Sequence, residues 1–122
     1  MLPEEEKLPV NVAKNYFLGK EGLKRLNCAQ SVISAFKDKY SIDNETVELF
    51  ELYGGGKAPE GMCGAYYAAK FALEQRSPEK LEEFEKYFID LAGSVSCHQI
   101  RANKKLSCLG CVEKSAEFIK CV

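Results

Sequence analysis

Apolar side chains recur every three or four residues along most of this chain, which is the spacing of one face of an α-helix. Polar or glycine residues interrupt the pattern at short intervals, as they do where helices begin or end. The predicted helices begin near Val10, Cys28, Asn44, Met62, Ser77 and Cys108. No segment shows the sustained alternation of a strand. We therefore expect an all-α fold, a single-domain bundle of five or six helices over residues 1–122.

Residues that favour helix starts support these boundaries. Asn27 precedes Cys28 and is a natural N-cap. Ser77 and Pro78 join a cap to a proline at the first helical position. The helix that follows is predicted to bury one stripe of large side chains, which consists of Leu81, Phe84, Phe88 and Leu91.

Composition narrows the range of partners and locations that the sequence allows. Hydrophobic residues make up 46% and charged residues 29% of the chain, and the net charge is -1, so nothing indicates a nucleic-acid partner. The apolar stretches are far shorter than the roughly 20 residues that cross a bilayer. Residues 1–9 are predicted to be a flexible N-terminus, and they lack the basic and apolar order of a secretory signal. We expect a cytoplasmic protein without a membrane span.

Cysteine is unusually frequent. The six cysteines are Cys28, Cys63, Cys97, Cys108, Cys111 and Cys121. A static disulfide framework is not expected in a reducing compartment, so this number favours metal binding or catalytic thiol chemistry. Cys121, at the penultimate position, is expected to be a surface or packing thiol.

Four of these thiols directly follow a capping or turn segment. The four segments are Asn27-Cys28, Gly61-Met62-Cys63, Ser96-Cys97 and Ser107-Cys108. The first N–H groups of a helix have no internal partner and the helix dipole is positive there, which favours an anion such as a thiolate. We therefore expect these cysteines to have pKa values below the free value of about 8.5, which would make them better ligands and more reactive thiols.

The cysteine spacing does not match the paired knuckles of zinc fingers or the tight spacing of bacterial ferredoxins. Any site must therefore be assembled by the tertiary fold. The leading hypothesis is that Cys28, Cys63, Cys97 and Cys108 converge and bind a metal centre. An iron–sulfur cluster is preferred over zinc, for electron transfer or redox sensing.

Two alternatives remain open. One is a metal-free thiol–disulfide oxidoreductase whose catalytic residues are Cys108 and Cys111, a CxxC pair at a helix start. The other is a structural zinc module. His98, the single histidine, could be a base or a ligand, but a partly exposed residue without a special role is the favoured interpretation. The expected partner is a redox protein or a small thiol or disulfide, and a homodimer is compatible with each hypothesis.

The order and spacing of several motifs resemble the redox-active family named for the pattern C_GCAxxG_C_C. The matching pieces are Asn27-Cys28-Ala29-Gln30, Gly54-Gly55-Gly56, Cys63-Gly64-Ala65, the segment from Gly93 to Cys97, and Cys108 with Val112 and Ala116. The triple glycine by itself lacks the lysine of a P-loop and is predicted to end a helix.

The resemblance covers most of the chain, from about Gly22 to Ile119, and it implies that the family's four shared cysteines are the four at the helix starts. Two positions depart from the pattern. Ala68 stands where the family has a second motif glycine, and Cys111 stands at a position that resembles an ordinary apolar position in relatives. Some relatives are haem-containing split-Soret-type cytochromes, which hints at electron transfer.

Overall fold

The computed structural model describes residues 9–20, 22, 25–54 and 56–120, and this part of the chain is helical. Its seven α-helices are α1 (Pro9–Leu18), α2 (Cys28–Ala35), α3 (Asn44–Leu49), α4 (Gly64–Arg76), α5 (Leu81–Ala92), α6 (Cys97–Asn103) and α7 (Cys108–Lys120). Three short 3₁₀ turns lie between them, at Phe50–Tyr53, Pro59–Gly61 and Pro78–Lys80. Within these ranges the only strand-like pairing is an isolated bridge between Met62 and Ser96. The prediction of an all-α fold is confirmed.

The helix count exceeds the predicted five or six because the short segment α6 forms a helix in addition to the six predicted starts. The two short helices, α3 and α6, each have their own N-cap. The Asp43 carboxylate accepts a hydrogen bond from the Thr46 N–H at 2.8 Å, and the Ser96 hydroxyl accepts one from the Gln99 N–H at 3.4 Å. Of the predicted flexible N-terminus, residues 1–8 lie outside the described residues, and Pro9 begins α1.

Helix α4 lies at the centre of the bundle and packs against α2 and α7. Helix α1 lies across α7 and α2, and α5 contacts both α4 and α7. The buried alanines of α4 allow its neighbours to approach closely: Ala65, Ala68, Ala69 and Ala72 are all 0% exposed. Ala68, at the position of the family's glycine, therefore lies in the middle of a packed helix and not at a turn.

The buried stripe of α5 differs from the prediction at one residue. Phe84 and Phe88 are fully buried, and the Phe84 ring stacks on Tyr66 with a centroid distance of 5.1 Å. Steps of four residues continue this row to Ala92, which is 0% exposed, while Leu91 points to the side and is 36% exposed. The prediction that Leu91 is buried was wrong. Among the described residues, no helix is long and apolar enough to cross a membrane.

Candidate redox site

A pocket of about 320 Å³ lies where α2, α4, α6 and α7 begin, and we call it the thiol pocket. Its cysteines are Cys28, Cys63, Cys97, Cys108 and Cys111. The structure thus brings together the four cysteines predicted to converge and adds the fifth, and it joins none of the five in a disulfide. His98 is exposed and does not line the pocket. Cys121 lies outside the described residues.

Cys28 is placed by a capping box at the start of α2. The Asn27 carboxamide oxygen accepts a hydrogen bond from the Gln30 N–H at 2.7 Å, and the Gln30 side chain accepts one from the Asn27 N–H at 3.4 Å. The Asn27 amide group also donates to the Glu51 carbonyl at 2.9 Å. A Cβ at Gly54 would lie 2.8 Å from the Asn27 side chain, so only glycine leaves room for this arrangement.

Cys63 is the N-cap of α4, which begins two residues later than the predicted start at Met62. Its backbone N–H donates to the Val95 carbonyl at 2.7 Å, beside the bridge that pairs Met62 with Ser96. These bonds hold the segment before α4 against the segment before α6. Cys63 and Cys97, distant in sequence, therefore reach the same pocket.

Two glycines of the sequence motifs lie directly against thiols. A Cβ at Gly64 would be 2.7 Å from both the Cys28 sulfur and the Tyr53 carbonyl oxygen. A Cβ at Gly56 would be 3.6 Å from the Cys97 sulfur, and the φ of Gly56 is +85°, in the region that favours glycine. The triple glycine was predicted only to end a helix, but its last residue, Gly56, also lies against Cys97.

The exposed side of the pocket combines Cys97 and Cys108 with a cation. Cys97 begins α6, and Arg101 follows one helical turn later on the same face. The Arg101 guanidinium donates a hydrogen bond to Cys108, and the nearby sulfurs of Cys97, Cys108 and Cys28 raise the pKa of Arg101. Cys108 is exposed at the start of α7, where the Ser107 hydroxyl accepts a hydrogen bond from the Gly110 N–H at 2.9 Å.

A second pocket, of about 360 Å³, adjoins the thiol pocket on this side. The two pockets share Cys28, Arg101 and Cys108, and the second also has Arg25 in its wall. Lys104 lines the thiol pocket itself. A molecule that approaches Cys108 from solvent therefore meets two arginines and a lysine, which favours an anionic molecule.

The buried side consists of Cys63 and Cys111, which are 6% and 2% exposed. Their thiols hydrogen-bond to each other, and this contact, together with burial, raises the pKa of Cys63 well above its ordinary value. The N–H groups of Tyr66 and Ala65 act in the opposite direction but do not outweigh the other causes. Cys63 therefore keeps its proton at neutral pH.

The expectation that helix-start cysteines have lowered pKa values was wrong for Cys63 and for Cys97. Burial raises the pKa of Cys97, and nearby Cys63 and Cys108 raise it further, although Arg101 lowers it. For Cys63, the neighbouring thiol and the loss of hydration outweigh the N–H groups at the start of α4. For Cys97, the loss of hydration and the neighbouring sulfurs outweigh Arg101.

Sequence reasoning missed Arg101 and Lys104 as lining residues. The separation of Cys97 and Arg101 by four residues was the available signal, because it places both on one face of a helix.

Within the described ranges, no group of three or more His, Cys, Asp or Glu side chains is arranged so that it could hold a metal ion.

A model of the family described as "Putative redox-active protein (C_GCAxxG_C_C)" matches residues 26–122. This span contains all six cysteines. No curated protein and no solved structure matches the chain.

Proposed function

The chain belongs to the redox-active C_GCAxxG_C_C family, and we propose that it binds an iron–sulfur cluster through Cys28, Cys63, Cys97 and Cys108 for electron transfer or redox sensing. The observation that supports this most is the convergence of thiols from four helices on one pocket of about 320 Å³. Cysteine thiolates are the usual ligands of such clusters. A thiol-only donor set does not suit a hard cation such as magnesium.

The chemistry of the pocket fits this group. The lining residues of the usual metal-ligating types are all cysteines, and Arg101 supplies a positive charge beside three of their sulfurs, which favours a negatively charged thiolate centre. Ile100 and Leu106 add apolar surface to the wall. Ligation would require the cysteines to lose their protons and to shift, because the described thiols are not at metal-ligating distances. When bound, the cluster would supply one-electron chemistry.

The experiment is purification without oxygen, followed by an absorbance spectrum and analysis of iron, sulfide and zinc. The expected result is a brown protein with iron and sulfide, and each of the four Cys→Ser variants should lose most of both. Cys121→Ser is the control and should keep them. Full metal retention in all four variants would contradict the proposed ligands, and a colourless protein with stoichiometric zinc would support a structural zinc module instead.

The second candidate is a metal-free thiol–disulfide oxidoreductase. It is favoured by the exposure of Cys108 and by the position of Cys111 three residues later on α7, in the same pocket. Cys108 would attack a disulfide and Cys111 would resolve the mixed disulfide. The measurement is a thiol count before and after treatment with a small disulfide. A count that does not change would eliminate this candidate.

A further inference from the structure

We propose that Cys63 and Cys111 form a dithiol–disulfide couple that exchanges electrons with a small organic disulfide through Cys108. The inference deepens the thiol-exchange candidate, and it assigns the stable disulfide to a pair far apart in sequence instead of to the CxxC pair. It does not require a bound metal.

The contact between the two buried thiols is the first observation. Cys63 stands at the start of α4 and Cys111 lies in the first turn of α7, and these two helices pack against each other. Both side chains line the same pocket, and hydrogen bonding with the Cys111 thiol is the largest cause that raises the pKa of Cys63. A disulfide between them would join two helices that already pack against each other.

The difference in exposure is the second observation. Cys63 is 6% and Cys111 is 2% exposed, so an external disulfide cannot readily reach either sulfur. Cys108 is exposed, lines the same pocket, and receives a hydrogen bond from Arg101. An external disulfide therefore reaches Cys108 first.

The exchange takes three steps. The Cys108 thiolate attacks the small disulfide RSSR, which forms a mixed disulfide and releases one RS⁻. Cys111 then attacks the Cys108 sulfur, which releases the second RS⁻ and leaves a disulfide between Cys108 and Cys111. Finally Cys63 attacks the Cys111 sulfur and releases Cys108. The balance is RSSR plus the two buried thiols giving two RSH plus the disulfide of Cys63 and Cys111, and the two thiol protons pass to the two RSH.

The last step favours the disulfide of Cys63 and Cys111 over the disulfide of Cys108 and Cys111. It frees the exposed Cys108 thiol, and it converts the two thiols of an apolar site into a disulfide. The CxxC disulfide must close within one turn of α7, while the buried pair joins two helices that are held side by side. A disulfide at Cys63 also removes this sulfur from any metal, so cluster binding and the buried disulfide exclude each other.

Peptide mapping tests the proposal. Trypsin places Cys63 in the peptide of residues 58–70, and both Cys108 and Cys111 in the peptide of residues 106–114. Metal-free protein is treated with oxidised glutathione, quenched in acid, alkylated and digested without reductant. The expected product is a link between these two peptides, with the alkyl group on Cys108.

Variants identify the order of steps. Cys111→Ala should abolish the link and trap glutathione on Cys108, while Cys108→Ala should still form the link but at least tenfold more slowly. Cys121→Ala is the control and should behave as the unaltered protein. A final product with the disulfide inside residues 106–114, or with Cys63 alkylated throughout, would overturn the proposal. Because the protein is metal-free, these outcomes are independent of whether a cluster forms.

Discussion

The two sides of the thiol pocket contain the same functional group in opposite surroundings. On the buried side, Cys63 contacts Cys111 and is shielded from water, and its pKa is raised well above the ordinary value. On the exposed side, Cys108 is open to solvent and lies against the Arg101 guanidinium. One side is suited to forming a disulfide that is shielded from solvent, and the other to meeting a partner.

The comparison teaches that a helix N-terminus does not by itself set the behaviour of a thiol. The N–H groups of Tyr66 and Ala65 at the start of α4 lower the pKa of Cys63, yet the net direction is upward. A neighbouring thiol and lost hydration are larger causes than the helix end. The local motif places the cysteine, and the tertiary contacts decide its protonation.

The largest predicted effect concerns the space on the buried side. Gly64→Ala would place a Cβ 2.7 Å from the Cys28 sulfur and from the Tyr53 carbonyl oxygen. One of these atoms belongs to the backbone, so the strain cannot be relieved by a rotamer change alone. We expect the free energy of unfolding to fall by about 1–3 kcal/mol, as in other overpacked sites, measured by urea denaturation of the reduced protein.

Gly110→Ala is the matched control, because Gly110 lies in the first turn of α7 on the exposed side. Its added Cβ would meet the end of the flexible Leu106 side chain at 2.7 Å, and this side chain can move. The helix propensity of alanine, about 1 kcal/mol better than that of glycine, offsets much of the strain. Equal losses in the two variants would show that the close packing at Gly64 has no special cost.

The contact between the buried thiols can be broken separately. In Cys111→Ala, Cys63 loses the hydrogen bond that is the largest cause of its raised pKa. Its alkylation by iodoacetamide, followed on the peptide of residues 58–70, should then rise at lower pH than in the unaltered protein. A raised pKa means less thiolate at a given pH, so the midpoint moves down when the cause is removed.

Cys108→Ala, on the same helix, is the control for this profile. It removes an exposed thiol that is absent from the causes of the Cys63 shift, so the midpoint of Cys63 should stay unchanged. The midpoint, and not the absolute rate, is the readout, because the cavity left in Cys111→Ala also improves access to Cys63. An unchanged midpoint in Cys111→Ala would show that the contact with Cys111 is not a cause of the raised pKa of Cys63.

Much of the fold followed from residues that act locally. Asn27 and Ser96 cap helices where the sequence indicated, and the apolar row of α5 predicted the burial of Phe84 and Phe88. The gathering of four cysteines in one pocket was also expected, because they share the same place at helix starts. These features depend on near neighbours in the chain and are therefore visible in the sequence.

The differences within the pocket depend on contacts between distant residues. The Cys63 and Cys111 pair is 48 positions apart, by subtraction of the two residue numbers, and forms only because α4 packs on α7. The crowding of Gly64 against Cys28 likewise joins two helices. The periodicity of a sequence does not indicate which distant residues come into contact. Cys111 was therefore predicted to pair with Cys108, its neighbour in sequence.

The smallest predicted effect concerns the charge on the exposed side. Arg101→Gln removes a positive charge that lies beside Cys108. Two unit charges about 4 Å apart in water interact by about 1 kcal/mol, so the reaction of Cys108 with oxidised glutathione, an anionic disulfide, should slow by about fivefold at low salt. The slowing should shrink in high salt, where charges are screened. The same rate measured with cystamine, a cationic disulfide, should not slow to this extent, and the ratio of the two rates cancels any change in Cys108 itself.

Two further variants separate charge from geometry at this position. Arg101→Lys keeps the charge and should retain most of the preference for the anionic disulfide. Arg76→Gln removes an exposed arginine on α4 that does not line either pocket, so it tests whether net charge alone matters. If Arg76→Gln changed the ratio of the two rates as much as Arg101→Gln, the preference would belong to the whole protein, and the exposed side of the pocket would have no role in selecting an anionic partner.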